Sequence, residues 1–202
     1  MSNIENTKDK WIKIINTAGK DGRIDPIIMF LNSEVGSRFF TSPSSHKTGY
    51  FGLAYNGGLA EYSLKILSTM VKINESLLGE DKFNLWPLVK VALFHNMGKI
   101  GNEFAPNYLP QDSDWHKKLG MMYKFDDNRP YMGFMNESLY LAQSNGVDLS
   151  YDEYQAILCS DINGEPSKAC RGRETRLTIL LRMAVEWVMC NIHEEHRNMG
   201  KK

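Results

Sequence analysis

The chain is short of several things, and each shortage removes a class of protein. Its 202 residues hold three cysteines, Cys159, Cys170 and Cys190, none of them in a CxxC pair. An odd, unpatterned set argues against a disulfide scaffold and suits reduced, mostly buried thiols in a cytosol. No apolar run approaches the roughly 20 residues that span a bilayer. The first ten residues carry no apolar stretch, so a signal peptide is not expected. Net charge is missing too, with Lys+Arg and Asp+Glu at 24 each. That balance gives no electrostatic reason to expect long nucleic acid or a membrane surface as a partner. Low-complexity tracts and internal repeats are also absent.

What is there is enough for one core. Hydrophobic residues make up 42%, and the length suits a single cytoplasmic domain. The organisation expected is an N-terminal helix and arm over 1–21, a core over 22–192 and a polar tail over 193–202. The 11 Met read as flexible core filler. Together with the aromatics they leave a homodimer open.

Helical periodicity dominates. Trp11, Ile12, Ile14 and Ile15 give one apolar face to a helix over 11–18, broken by Gly19 and Gly22. A second helix is expected over 24–31, with Pro26 in its first turn, where a missing N–H costs little. Residues 37–58 are rich in Ser, Gly, Thr and aromatics, show no period, and read as an ordered loop. Leu59, Leu64, Leu67, Val71 and Leu77 mark a helix over 59–78, with Gly79 as its stop. Residues 84–98 are apolar around most of the circumference, so that helix should be central and buried. A short polar segment follows at 112–118, then an extended excursion over 121–130 around the turn chemistry of Asp126, Asp127 and Asn128. Further helices are expected at 136–144, at 150–159, where Ser150 and Glu153 have capping-box spacing, and at 174–195. Seven or eight helices with almost no strand make an all-α fold.

Three segments carry more than periodicity. Phe39-Phe40-Thr41-Ser42-Pro43-Ser44-Ser45-His46-Lys47 lies in the long loop. Ala54-Tyr55-Asn56-Gly57-Gly58-Leu59-Ala60-Glu61-Tyr62-Ser63-Leu64 opens the next helix. Ala92-Leu93-Phe94-His95-Asn96-Met97-Gly98-Lys99-Ile100 closes the central one. In that order they resemble the HD phosphohydrolases of phage and bacterial type, over about residues 22–191. The first is similar to a loop reading FFTAPAS-x-K, the second to Y-x-GGL-x-EHSL, and the third to the His-Asp pair that names the family. Tyr131-Met132-Gly133-Phe134-Met135-Asn136-Glu137-Ser138 is more weakly similar to P-x-GHGEKS, and Arg182-Met183-Ala184-Val185-Glu186-Trp187 to a closing h-x-A-D-x segment. The resemblance implies an HD-like helical bundle. It also implies a divalent metal held by His, by His-Asp and by a distant Asp, activating water against a phosphate ester.

At those positions the chain departs from the pattern. Tyr62 stands at the first His, Asn96 at the Asp, Phe134 at a further His and Glu186 near the last Asp. A phenol binds strongly only when deprotonated, near pH 10. Asn96 offers a carbonyl without charge, and Phe134 offers nothing. Glu186 could still ligate, and His95 is the clear ligand left. Loss of even an outer partner costs about 10–100-fold in metal affinity, so the expectation is no metal, no catalytic residue and a pseudo-enzyme. His193, Glu194, Glu195 and His196, with Cys190, read either as a second cluster or as polar residues of a last turn, favourable with the helix dipole.

Such a cleft still has walls for a nucleotide-type ligand held without a cofactor. Tyr55, Tyr62, Tyr131 and Phe134 could stack on a base. His46, Lys47, Lys99, Arg129, Arg171 and Arg173 could meet phosphates. Asn56 and Asn96 could read a base edge, beside His95 and the loop residues Ser44 and Ser45. Each has a plainer alternative. Tyr62 and Phe134 could be core filler, His95 a hydrogen-bonded core histidine, Lys99 a cap on its own helix, and Arg171 and Arg173 solvated charges. Three functions stay open. One is a phage protein that sequesters a cyclic (oligo)nucleotide immune signal in the bacterial cytoplasm. Another is a rearranged hydrolase using His95 as general acid or base. The third is an interaction module whose cleft is filled by side chains.

Overall fold

The computed structural model describes residues 3–19, 23–49, 52–77, 79 and 82–199. Among them are ten α-helices: α1 (Asn3–Ala18), α2 (Asp25–Asn32), α3 (Glu34–Ser37), α4 (Gly58–Ser76), α5 (Leu85–Phe94), α6 (Asp114–Lys118), α7 (Phe134–Ser144), α8 (Tyr151–Leu158), α9 (Glu165–Ala169) and α10 (Arg176–Met199). Two short antiparallel strands, β1 (Tyr108–Pro110) and β2 (Tyr123–Phe125), pair Tyr108 with Phe125. The fold is all-α, as the periodicity implies. The helices beyond the expected number include α3 and α9, four and five residues long, too short to show a period.

α5 is the centre. Leu88, Val89 and Val91 to Phe94 are buried, and the helix packs against α1, α4, α7, α8 and α10. It stops at Phe94, earlier than the sequence suggests. His95 and Asn96 turn the chain into a 3-10 turn over Met97–Ile100. The physical reason is a tertiary contact: the Gly98 N–H, which a continuing helix would spend on its own carbonyls, donates to Ser138 Oγ of α7 at 2.7 Å. That break aims His95, Asn96 and Lys99 toward one side of the molecule.

Helix extends further toward both ends of the described chain than expected, and at the N-terminal end it joins the core. α1 begins at Asn3 rather than near Trp11, and its Trp11 and Ile15 are fully buried. The indole Nε1 of Trp11 donates to the Ala60 carbonyl at 3.1 Å, tying α1 to α4. α10 packs along α4, and residues 193–199 continue it as helix where a polar tail was expected. α4 itself starts where Gly57 takes a left-handed φ of 87°, a conformation that glycine adopts without strain. α8 opens with the expected capping box: Glu153 N–H donates to Ser150 Oγ at 3.3 Å and Ser150 N–H to Glu153 Oε2 at 2.7 Å. The same Oε2 accepts from Lys90 Nζ at 2.7 Å, joining α8 to α5. Among the described residues no helix is long and apolar enough to cross a membrane.

Candidate functional site

His95 sits where α5 breaks, 1% exposed. Its Nδ1 lies 2.9 Å from the Ala92 carbonyl. A carbonyl can only accept, so Nδ1 carries the proton and Nε2 bears the lone pair. Asn96 Nδ2 lies 2.7 Å from that Nε2 and donates to it. Burial, more than any neighbouring charge, pushes the imidazole down to about 4, so the ring is neutral near pH 7. Both ring nitrogens are thus satisfied from within the chain.

Lys99, one turn on, reaches across to the long loop, where Nζ donates to the Ser44 carbonyl at 2.8 Å. It does not cap its own helix. Burial lowers its pKa to about 8, opposed by the Asp161 carboxylate. The ammonium also stands over the Phe134 ring, 5.9 Å from the centroid. The loop holds its own shape. Ser44 Oγ accepts from Leu53 N–H at 2.6 Å, and Ser45 Oγ donates to the Lys47 carbonyl at 2.9 Å. Those two hydroxyls are therefore committed to folding the loop, which leaves mainly backbone and Cβ atoms of Ser44 and Ser45 to meet a ligand. The loop is anchored to the strands, because the His46 carbonyl accepts from the N–H groups of Met122 and Tyr123. The His46 ring packs 5.2 Å from Phe125, and burial together with Lys47 and Lys99 lowers its pKa.

These pieces surround a cavity of about 480 Å³, within the range of small-molecule sites. Eight residues expected from the sequence line it: Ser44, Ser45, His46, Tyr62, His95, Asn96, Lys99 and Phe134. Tyr62 of α4 is 1% exposed, with its ring 6.3 Å from that of His95. Burial and the Glu186 carboxylate raise its pKa, so the phenol stays protonated. Opposite lie Ser160, Asp161, Ile162 and Asn163 between α8 and α9, and Glu186 of α10. That loop is pinned by Arg182, whose Nε donates to the Cys159 carbonyl at 2.8 Å.

The other expected residues lie outside this cavity. Arg129 is buried in an ion pair with Glu137, its side chain 1% exposed, which is structural rather than phosphate-facing. Tyr55 donates its hydroxyl to Glu61 at 2.7 Å at the mouth of α4, and Asn56 beside it is exposed. Lys47 makes a backbone bridge with Met121. Arg171 and Arg173 are exposed beyond α9, as solvated charges are. Tyr131 lines a neighbouring chamber. Sequence reasoning missed Tyr108, Phe125, Met135, Asp161, Ile162 and Asn163 as walls. The one signal at hand was the Asp161-Ile162-Asn163-Gly164 turn chemistry, which marks a loop and says nothing of where it points. The thiols also differ from expectation. Cys190 is exposed, and Cys159 and Cys170 are neighbours with sulfurs 3.2 Å apart.

The donor set is one cation, two carboxylates, a neutral His–amide pair and aromatic faces. Among the described residues no three His, Cys, Asp or Glu side chains converge to hold a metal ion, the 193–196 segment included. No protein-family model, curated protein or solved structure matches this chain.

Proposed function

We propose that this protein is a degenerate member of the HD type that holds a nucleotide-type ligand in the cavity beside His95 and releases it unchanged. One observation carries the reading: a cavity of about 480 Å³ lies beside His95, with the half-buried ammonium of Lys99 at one wall and aromatic rings at others. A cleft of this size with a few convergent polar groups among aromatic walls is the usual form of a small-molecule site. The cavity's charges suit a nucleotide better than a simple anion. Lys99 offers a donor for a phosphate, while Asp161 and Glu186 accept from the N–H groups of a base. The internal pairing of His95 with Asn96 supports retention over hydrolysis, since the imidazole lone pair that would take a proton from water is already occupied. In the setting that the resemblance implies, such retention would lower the free concentration of a cyclic (oligo)nucleotide immune signal by mass action.

The test is a recovery experiment. Purified protein is incubated with a panel of mono-, di- and cyclic nucleotides, filtered, and the free fraction quantified by HPLC before and after heat denaturation. The expected result is one compound that disappears and returns intact. Its return as a product would replace this reading with hydrolysis by a rearranged site. Full recovery of every compound in the first filtrate would favour the interaction module.

A further inference from the structure

Cys159 and Cys170 mark the ends of the segment that walls one side of the cavity. Each is the residue at which a helix stops, Cys159 after α8 and Cys170 after α9. Between them lie Ser160, Asp161, Ile162 and Asn163, all part of the cavity lining. The turn of the chain brings the two thiols into contact, with Cys170 Sγ donating to Cys159 Sγ at 3.2 Å. A disulfide bond is about 2.05 Å long, so the sulfurs need approach by only about 1.2 Å to be joined.

The two sulfurs are not equivalent. Cys159 is 2% exposed, whereas Cys170 is only half-buried. Burial raises the pKa of the Cys159 thiol, and the hydrogen bond from Cys170 adds to it. Packing as a small apolar side chain accounts for Cys159. It does not account for a second, partly exposed thiol laid against it. Cys170 is the sulfur that a solution oxidant reaches, and Cys159 stands behind it. The frame around them is firm. Arg182 Nε donates to the Cys159 carbonyl at 2.8 Å, its Nη2 lies 3.9 Å from Cys170 Sγ, and its Nη1 donates to Glu174 at 3.0 Å. Ser167 Oγ of α9 donates to the Cys159 carbonyl at 3.0 Å. The wall between is softer. Asp161, Ile162 and Asn163 are exposed, in a turn that Asn163 N–H closes on Asp161 Oδ1 at 3.0 Å.

We infer that Cys159 and Cys170 are a reversible dithiol–disulfide pair whose oxidised form clamps the Ser160–Asn163 wall of the cavity. The oxidant is a low-molecular-weight disulfide of the glutathione type. The Cys170 thiolate attacks one sulfur of that disulfide and forms a mixed disulfide. The other half leaves as a thiolate and takes up the proton that Cys170 lost. Cys159 then attacks Cys170 Sγ. The Cys159–Cys170 bond forms, the mixed disulfide breaks, and the second half leaves with the Cys159 proton. The pair loses two electrons and the small disulfide gains them. Contact between the sulfurs makes the second step intramolecular, which offsets the raised Cys159 pKa. The new bond closes residues 159–170 into a ring and restricts the openings of the wall. In a reducing compartment, pairs of this kind are transient and sensing rather than structural. This chemistry does not depend on what the cavity holds.

The experiment equilibrates the native chain in glutathione buffers from fully reduced to fully oxidised, blocks the remaining thiols with N-ethylmaleimide and maps the peptides by mass spectrometry. Cys190 is exposed on α10, about 12 Å along the helix from Arg182, and serves as internal control by taking up one glutathione. The expected product joins Cys159 to Cys170 and reverts with dithiothreitol. In Cys159→Ser the reaction should stop at a glutathione adduct on Cys170. In Cys170→Ser the buried Cys159 should stay a free thiol. The oxidised native chain should melt several degrees above the reduced one. Hydrogen exchange of amides 160–169 should slow by about tenfold or more. These native-chain measurements decide the matter even if Cys159→Ser lowers stability. Free thiols at 159 and 170 while Cys190 is modified would overturn the pair and leave both cysteines to packing. A disulfide that forms without slowing exchange over 160–169 would overturn the clamp.

Discussion

Asn96 donates its side-chain amide to Nε2 of His95 at 2.7 Å, while Nδ1 of the same ring donates to the Ala92 carbonyl. Two adjacent residues thereby close a circuit that leaves the imidazole neutral and its lone pair occupied. The pairing depends on an amide. In Asn96→Asp a carboxylate would face that lone pair, and the repulsion is relieved when the ring takes a proton. The His95 pKa, held down to about 4 by burial, should then rise by about one to three units, the usual effect of an opposite charge in contact. Titration of the ring nitrogens by NMR measures this directly. An unchanged pKa would mean that Asn96 does not hold Nε2.

Lys99 gives the site a pH dependence of definite sign. Burial lowers its pKa to about 8, so the amine is mostly charged at pH 7 and loses its proton as pH rises through 8. A phosphate-bearing ligand binds the charged form. Affinity should therefore be flat below about pH 7 and fall above 8, by at most about tenfold per pH unit. Lys99→Met should bind more weakly at pH 7 and lose the decline. Titrations at pH 6.5, 8 and 9.5 check it, and a native affinity that rises with pH would remove Lys99 from ligand binding.

The helices were legible because burial writes a period into the chain: α5 is apolar all round, and α4 and α10 carry clear stripes. Breaks were less legible. Nothing in Phe94-His95-Asn96 says that the helix ends there, because the cause is Ser138, far along the chain, taking the Gly98 N–H. The same limit applies to the site. His95, Asn96, Lys99 and Tyr62 could be grouped because they lie in recognisable motifs. The cavity walls from Tyr108, Phe125 and Asp161 come from segments whose approach is set by tertiary packing alone. Arg129 illustrates the opposite error. A basic residue near an aromatic run reads as a phosphate contact, while its partner Glu137 carries no sequence mark of pairing.

That Arg129–Glu137 pair yields a stability prediction. Both side chains are 1% exposed. Glu137 Oε1 also accepts from Asn102 Nδ2 at 3.0 Å. Removing one charge leaves the other buried without compensation, a loss of about 3–5 kcal/mol. Glu137→Leu should lower stability by that order, and Arg129→Met should do likewise. The double variant Arg129→Met with Glu137→Leu should recover much of the loss, since no buried charge remains. Urea unfolding of the four proteins closes the cycle. Additive losses in the double variant would show that the pair is not coupled.

Gly98 links the fold to the site. A Cβ placed there would fall 2.8 Å from the Cβ of Glu137 and closer still to the Phe134 carbonyl oxygen. Backbone atoms of a packed helix cannot step aside as a flexible side chain can. Gly98→Ala must therefore push the 3-10 turn away from α7 and stretch the Gly98 N–H bond to Ser138 Oγ. Overpacking of this kind costs about 1–3 kcal/mol, which in a chain of this size lowers the melting temperature by several degrees. The functional cost should exceed that. Lys99 follows Gly98 and Phe134 opens α7, so the displacement separates the cation from the ring it stands over, at 5.9 Å in the native chain. At temperatures where Gly98→Ala is still fully folded, it should bind ligand more weakly than the native protein. A variant that melts lower yet binds equally well would show that the two walls move together, and that the glycine serves packing alone.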